Sequence, residues 1–172
     1  MDVAVTATGL GKRYGRVWAL RDCTVDLPAG SIVAVVGANG AGKTTFLRAI
    51  TGLLSPSQGE VWVLGQPAGL DTPASLARVA FVAQERPLYR RLSVADHLDF
   101  GSHLNPRFDV RLAAAQLQRV GVPMHRRVSD LSGGQQAQVA LALAIAKRPD
   151  ILVLDEPWRR SIPWLGWSSC RH

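Results

Sequence analysis

An α/β fold with a mostly parallel sheet is predicted by three observations. A β-branched run, Ile32 to Val36, feeds a glycine-rich loop and then a helix with one apolar face. A second apolar strand, Ile151 to Leu154, ends on two carboxylates, Asp155 and Glu156. Between them, from about residue 90 to residue 148, the pattern turns helical. Strand, loop, helix and strand with a helical insertion is the order of an α/β domain, here with an antiparallel β portion at its N-terminus.

Taken in order, Val3 to Thr8 alternates as a half-buried strand, and so does Cys23 to Leu27. Pro28-Ala-Gly30 turns the chain into the run 32–36, read as a strand buried on both faces. Lys43 to Leu54 reads as a helix with Phe46, Leu47, Ile50 and Leu53 on one face, broken by Pro56 before a strand from Glu60 to Leu64. Val79 to Ala83 is a further strand, followed by a polar loop at Gln84. Ser93 caps a helix that runs through Leu98 and Phe100. Asn105-Pro106 separates it from another marked by Leu112, Leu117 and Val120. Ser132 caps a long helix from Gly133 to Lys147, closed by basic residues and Pro149.

With 172 residues and 47% hydrophobic content, the chain is expected to form one domain with a sizeable core. No apolar run approaches the roughly 18–20 residues of a membrane span. The N-terminus lacks a basic-then-apolar signal pattern, and two distant cysteines, Cys23 and Cys170, make no disulfide framework, so a reduced cytoplasmic setting is expected. The net charge of +7 falls to +4 once Arg159, Arg160 and Arg171 are set aside. The rest is scattered apart from pairs such as Arg90-Arg91 and Arg126-Arg127, with no aromatic-interleaved basic patch, so no nucleic-acid partner is expected. A solvated surface, or attraction to anionic lipid beside a membrane partner, accounts for the balance equally well. His97, His103 and His125 show no ligand spacing and read as surface or helix-packing residues.

Gly37-Ala-Asn-Gly-Ala-Gly-Lys43-Thr44 matches the phosphate-loop pattern between a buried strand and a helix, the context that pattern requires. Glycines let successive N–H groups turn inward onto phosphate oxygens, and the helix start adds partial positive charge. Lys43 would reach the β- and γ-phosphates, and Thr44 would place its hydroxyl on Mg²⁺. Asp155, delivered to the strand end, would hold the same Mg²⁺, and Glu156 would act as general base on the attacking water. Ser132, Gly133 and Gly134 offer backbone donors and a hydroxyl at another helix start, a second anion site.

The phosphate loop, the signature Leu131-Ser-Gly-Gly-Gln135 and the acidic strand end together resemble the ATP-binding subunit of an ABC transporter, from about Val3 to Pro157. The resemblance implies a P-loop NTPase core and ATP hydrolysis with ATP and Mg²⁺. ATP would be sandwiched between two protomers of a homo- or heterodimer and coupled to a membrane-spanning subunit at the inner face of the cell membrane. It implies nucleotide contacts at Tyr14, Gly37, Asn39, Gly40, Ala41, Gly42, Lys43, Thr44, Thr45 and Gln84. Tyr14 would stack on adenine, and Gln84 would touch Mg²⁺ or its water. Leu131, Ser132, Gly133, Gly134 and Gln135 would meet the partner's ATP. The stretch Pro87 to Asp99 looks like the region that meets the membrane subunit's coupling helix. Arg86 to His97, with Leu104 to Asp109, is similar to drug-exporter ATPases of the ABC-2 type.

Residues 158–172 depart from this pattern, with neither strand alternation nor a helical stripe. The domain is therefore read as residues 1–157, lacking the C-terminal part of the core, with a helical subdomain at about 90–148. Restoring one lost G after the Pro157 codon, with suitable codon choices around the fixed Trp158, Trp164 and Trp167 codons, yields the family's continuation with its interface Asp. The tail is accordingly read as frameshifted. Loss of the family's next core strand would leave backbone groups of its two neighbours unpaired, at on the order of 1–3 kcal/mol each. The expectation is a poorly folded chain with impaired hydrolysis, or one that binds nucleotide without turning it over. A soluble ABC-type ATPase acting on ribosomes or nucleic acid is the remaining alternative.

Overall fold

The computed structural model describes residues 2–69, 73–85 and 87–155. Glu156, Pro157 and the tail 158–172 therefore lie outside the described residues. The chain divides into two compact units at Ala80/Phe81.

In the first unit β1 (Val3–Tyr14) and β2 (Val17–Pro28) form a long hairpin. With β3 (Gln58–Val63) and β4 (Gln66–Pro67) they make an antiparallel sheet in the order β2-β1-β3-β4. The hairpin strands far outrun the alternating stretches 3–8 and 23–27. Beyond those stretches the ladder itself holds the chain, through pairs such as Lys12–Leu20 and Arg13–Trp18. The Arg13 guanidinium lies 5.6 Å from the Trp18 ring centroid, adding a cation–π contact. Gly59, at φ 72°, lets β3 approach the Gly9 backbone where a Cβ would collide with it. Val5, Ala7 and Leu10 of β1 and Val61 of β3 are buried, as are Phe46, Ala49 and Ile50 of helix α1 (Lys43–Ile50). A short helix α2 (Pro73–Arg78), not anticipated from the sequence, ends this unit.

Two sequence readings need correction here. The run 32–36 is not a strand: it takes no regular secondary structure, and Ile32 is 97% and Val36 90% exposed. A strand exists only within a ladder, and among the described residues no strand pairs with this run. Helix α1 stops at Ile50 rather than Leu54. Gly52 takes a left-handed φ of 73° and donates its N–H to the Ala49 carbonyl, closing the helix end and leaving Leu53 exposed.

In the second unit α3 (Val94–Leu104), α4 (Val110–Arg119) and α5 (Gly133–Ala146) close on one core. Val94, Leu98, Leu117, Val128 and Val139 are central to it, and Leu131 joins them. Burying a leucine such as Leu117 contributes about 1.5–3 kcal/mol. Strand β5 (Val79–Val82) pairs with β6 (Ile151–Leu154). The Asp155 N–H donates to the Val82 carbonyl at 3.0 Å, so both strands end side by side.

Candidate nucleotide-binding site

Helix α1 begins in an unusual way for this chain. Its N-cap is Gly42, at φ 85°, which makes no side-chain cap hydrogen bond. A Cβ at Gly42 would run into the Ala19 backbone carbonyl, so the left-handed turn and the close approach both demand glycine. Ahead of it Gly40 is also left-handed, at φ 82°, and the Ala41 N–H closes a turn on the Ala38 carbonyl at 3.1 Å. The Lys43 ammonium folds back over this loop and donates to the carbonyls of Gly37 and Ala38, each at 2.8 Å. The residues expected to cradle phosphate, Gly37, Asn39, Gly40, Ala41, Gly42, Lys43, Thr44 and Thr45, are therefore gathered around one helix start. A positive side chain arches across them.

Tyr14 stands in the same unit at the end of β1, where Gly15 and Arg16 turn the hairpin. Its ring is half exposed, with the Lys12 ammonium 5.6 Å from the ring centroid. An exposed ring carrying a cation on one face remains available for stacking on the other.

In the second unit the hydrogen bond from Asp155 to Val82 brings Gln84 and Asp155 to the same end of the β5–β6 pair. Asp155 is only 3% exposed, whereas Gln84 is exposed. The buried carboxylate and the amide oxygen at this strand end are donors of the kind a hard Mg²⁺ ion takes. Among the described residues no cluster of three or more His, Cys, Asp or Glu side chains could hold a metal.

The signature segment opens α5. Leu131 is buried in the helical core and fixes the segment from below. Ser132 caps the helix: its hydroxyl accepts from the Gln135 N–H at 3.2 Å, while Gln135 Oε1 accepts from the Ser132 N–H at 3.0 Å. The Ser132 N–H expected to face an anion is therefore committed to Gln135. Sequence reading assigns Gln135 no such bracing role, although Ser-x-x-Gln before an apolar helix is a legible capping box. It also misses Gln136, whose side-chain amide donates to the carbonyls of Val128 and Leu131, both at 3.1 Å.

His97 proves to be a packing residue. It is 4% exposed, with Nδ1 2.8 Å from the Ser93 carbonyl and Nε2 accepting from the Tyr89 N–H at 3.1 Å. His103 and His125 are exposed.

Comparison with known proteins identifies the family. A profile of the ABC transporter family matches residues 20–159. A sulfate/thiosulfate import ATP-binding protein of Yersinia pseudotuberculosis is 39% identical over 165 residues, covering 91% of this chain and 45% of the relative. An ABC transporter ATP-binding protein of Halobacterium salinarum is 42% identical over 160 residues, covering 90% of this chain and 69% of the relative. A dimeric ATP-binding cassette in a post-hydrolysis state, bound to ADP and Pi, superposes with a TM-score of 0.78 at 25% identity, over 92% of this chain and 76% of the other. The chain thus spans about half the length of the sulfate-import relatives it matches. Those relatives are named as sulfate and thiosulfate importers. By this profile and these relatives, the chain belongs to the ABC transporter family.

Proposed function

We propose that this chain is an ATP-binding, ATP-hydrolysing subunit that couples nucleotide turnover to a membrane-spanning transporter partner. The observation that carries the proposal is the start of α1, where no side chain caps the first turn and the Lys43 ammonium spans the loop carbonyls. An uncapped helix start surrounded by left-handed glycines has donors to give a phosphate, and the lysine supplies the charge. In this reading Lys43 turns from its own loop carbonyls to the β- and γ-phosphates. Tyr14 stacks on the base. Thr44, Gln84 and Asp155 hold Mg²⁺, which when bound neutralises charge on the phosphate oxygens. Glu156 takes the proton of the attacking water as general base. Gly133, Gly134 and the Ser132 hydroxyl meet ATP held by a second protomer, so that two copies close over two nucleotides. The relatives' names place them in membrane transport, which supports a peripheral position at the cytoplasmic face. Among the described residues no helix is long and apolar enough to cross a membrane.

The exposed run 32–36 favours a second reading, in which the 172-residue chain binds nucleotide without turning it over. Measuring binding of a fluorescent ATP analogue and release of phosphate separately distinguishes the two. Lys43→Ala should weaken binding about 10- to 100-fold, as expected for loss of charged hydrogen bonds worth roughly 1.5–3 kcal/mol. Glu156→Gln should leave binding intact and abolish any turnover. Wild-type affinity in Lys43→Ala would refute the nucleotide site itself.

A further inference from the structure

Behind the exposed Tyr14 ring stands a lysine that is held at both ends. Lys12 and Tyr14 alternate along β1, so their side chains share one face of the strand. The Lys12 ammonium lies over the Tyr14 ring, 5.6 Å from its centroid, and donates to the Ser55 carbonyl at 2.8 Å. The backbone around Lys12 is clamped by Ser57. The Ser57 N–H donates to the Gly11 carbonyl at 2.8 Å, and the Ser57 hydroxyl accepts from the Arg13 N–H at 3.1 Å. Ordering a lysine side chain costs rotamer entropy, which the Ser55 hydrogen bond and the ring contact offset. The result ties the ring to the segment that follows α1.

The pairing of β1 with β2 is irregular at the same point. Lys12 faces Leu20 and Arg13 faces Trp18, so Ala19 is an extra residue on β2. Such a bulge re-aims the groups around it. The Ala19 carbonyl lies so close to Gly42 of the phosphate loop that a Cβ there would collide with it, and Leu20 Cδ1 is 3.4 Å from the same point. Leu20, the residue opposite Lys12, is therefore also the residue that meets the phosphate loop. Phosphate loop, Leu20, Lys12 and Tyr14 form one continuous series within the first unit.

A cation over one face of a tyrosine draws π-electron density toward itself. The opposite face then becomes a better partner for an electron-rich aromatic base. A ring fixed from behind also loses less freedom when a ligand stacks on it.

We propose that Lys12 is a positioning residue for the nucleotide base, holding the Tyr14 ring in the orientation from which the base is stacked. This rests on the reading that Tyr14 stacks on the base. Lys12 acts through the ring and leaves the triphosphate to the phosphate loop.

The test is displacement of a fluorescent ATP analogue from the full chain by ATP and, separately, by inorganic tripolyphosphate, which has no base. The affinity of the analogue itself is measured for each variant. Tyr14→Ala should weaken ATP about 5- to 100-fold, the range of one base–aromatic stack, and should leave tripolyphosphate within about twofold. Lys12→Met keeps an apolar stem and loses the charge. It should weaken ATP about two- to fivefold, as loss of an exposed cation–π contact predicts, with tripolyphosphate unchanged. Lys12→Arg should restore ATP binding. In the Tyr14→Ala background, Lys12→Met should have no further effect on ATP. Thermal unfolding checks that each variant folds, and Lys12→Gln repeats the test should the methionine variant not. Equal weakening of ATP and tripolyphosphate would make Lys12 a bulk charge and overturn the proposal. So would an undiminished Lys12 effect without Tyr14, or no effect on ATP at all. Unchanged ATP affinity in Tyr14→Ala would instead refute the stacking reading, and the proposal with it.

Discussion

Helices α3, α4 and α5 each begin on a side chain that accepts from their own first turn: Ser93, Asp109 and Ser132. Helix α1 begins on a glycine that can offer nothing. The first three spend their terminal donors on themselves and anchor a closed core. A capped start contributes about 1 kcal/mol, which α1 forgoes. The contrast extends to the residues on either side. Asp109 closes its region twice over, accepting from the Leu112 N–H at 2.9 Å and from the Arg148 guanidinium at 2.6 Å. The run 32–36 leading to α1 is exposed and without a ladder. The helical unit is built to hold itself together, and the phosphate loop is built to be completed by something else.

That contrast is sharpened first by Leu117→Ala. Leu117 is fully buried in the helical core, so truncation should cost about 2–5 kcal/mol, measured by urea unfolding. A loss below about 1 kcal/mol would mean the helical core is not what holds this unit. Gly42→Ala comes next, with a left-handed φ and the Ala19 carbonyl in the way. Backbone strain of this kind costs about 1–3 kcal/mol. The variant should lose ATP-analogue affinity as the loop is forced open, and unaltered affinity would break the argument that this turn shapes the site.

The smallest effect concerns pH. The Arg148 hydrogen bond first, and the Leu112 N–H second, hold the Asp109 carboxyl below its usual range. Asp109 therefore stays charged in the folded chain at pH values where the unfolded chain has already taken up a proton. Its stabilisation is present above the unfolded value and fades as pH falls through the folded one. Unfolding midpoints measured from neutral to acid pH should show a shallower acid limb in Asp109→Asn. An identical limb in both proteins would show that the Asp109–Arg148 pair does not couple to folding.

The parts of the site that are legible in the sequence are those written locally. Gly37 to Thr44 and Leu131 to Gln135 carry their geometry within a few residues, because glycine permits the turn and Ser132 caps α5. Asp155 is legible as the end of an apolar strand. The features that escape depend on partners distant in the chain. The double role of Asp109 needs Arg148, which stands 39 residues away. The length of the β1–β2 hairpin comes from cross-strand pairs rather than alternation. The run 32–36 misleads because hydrophobic pattern reports what a segment could pair with and carries no record of whether a neighbour is present. Helix α1 overruns for a related reason: Leu53 keeps the helical spacing, but Gly52 has already turned the backbone away.

Hydrogen exchange of individual backbone amides, with and without ATP, tests the central claim most directly. Amides from Gly40 to Thr44 should be slowed at least about tenfold by nucleotide, as a hydrogen bond worth roughly 1.5–3 kcal/mol requires. Those of α3 and α5 should keep their rates. No slowing at Gly40 to Thr44, or equal slowing throughout the chain, would contradict the view that the start of α1 receives the phosphate.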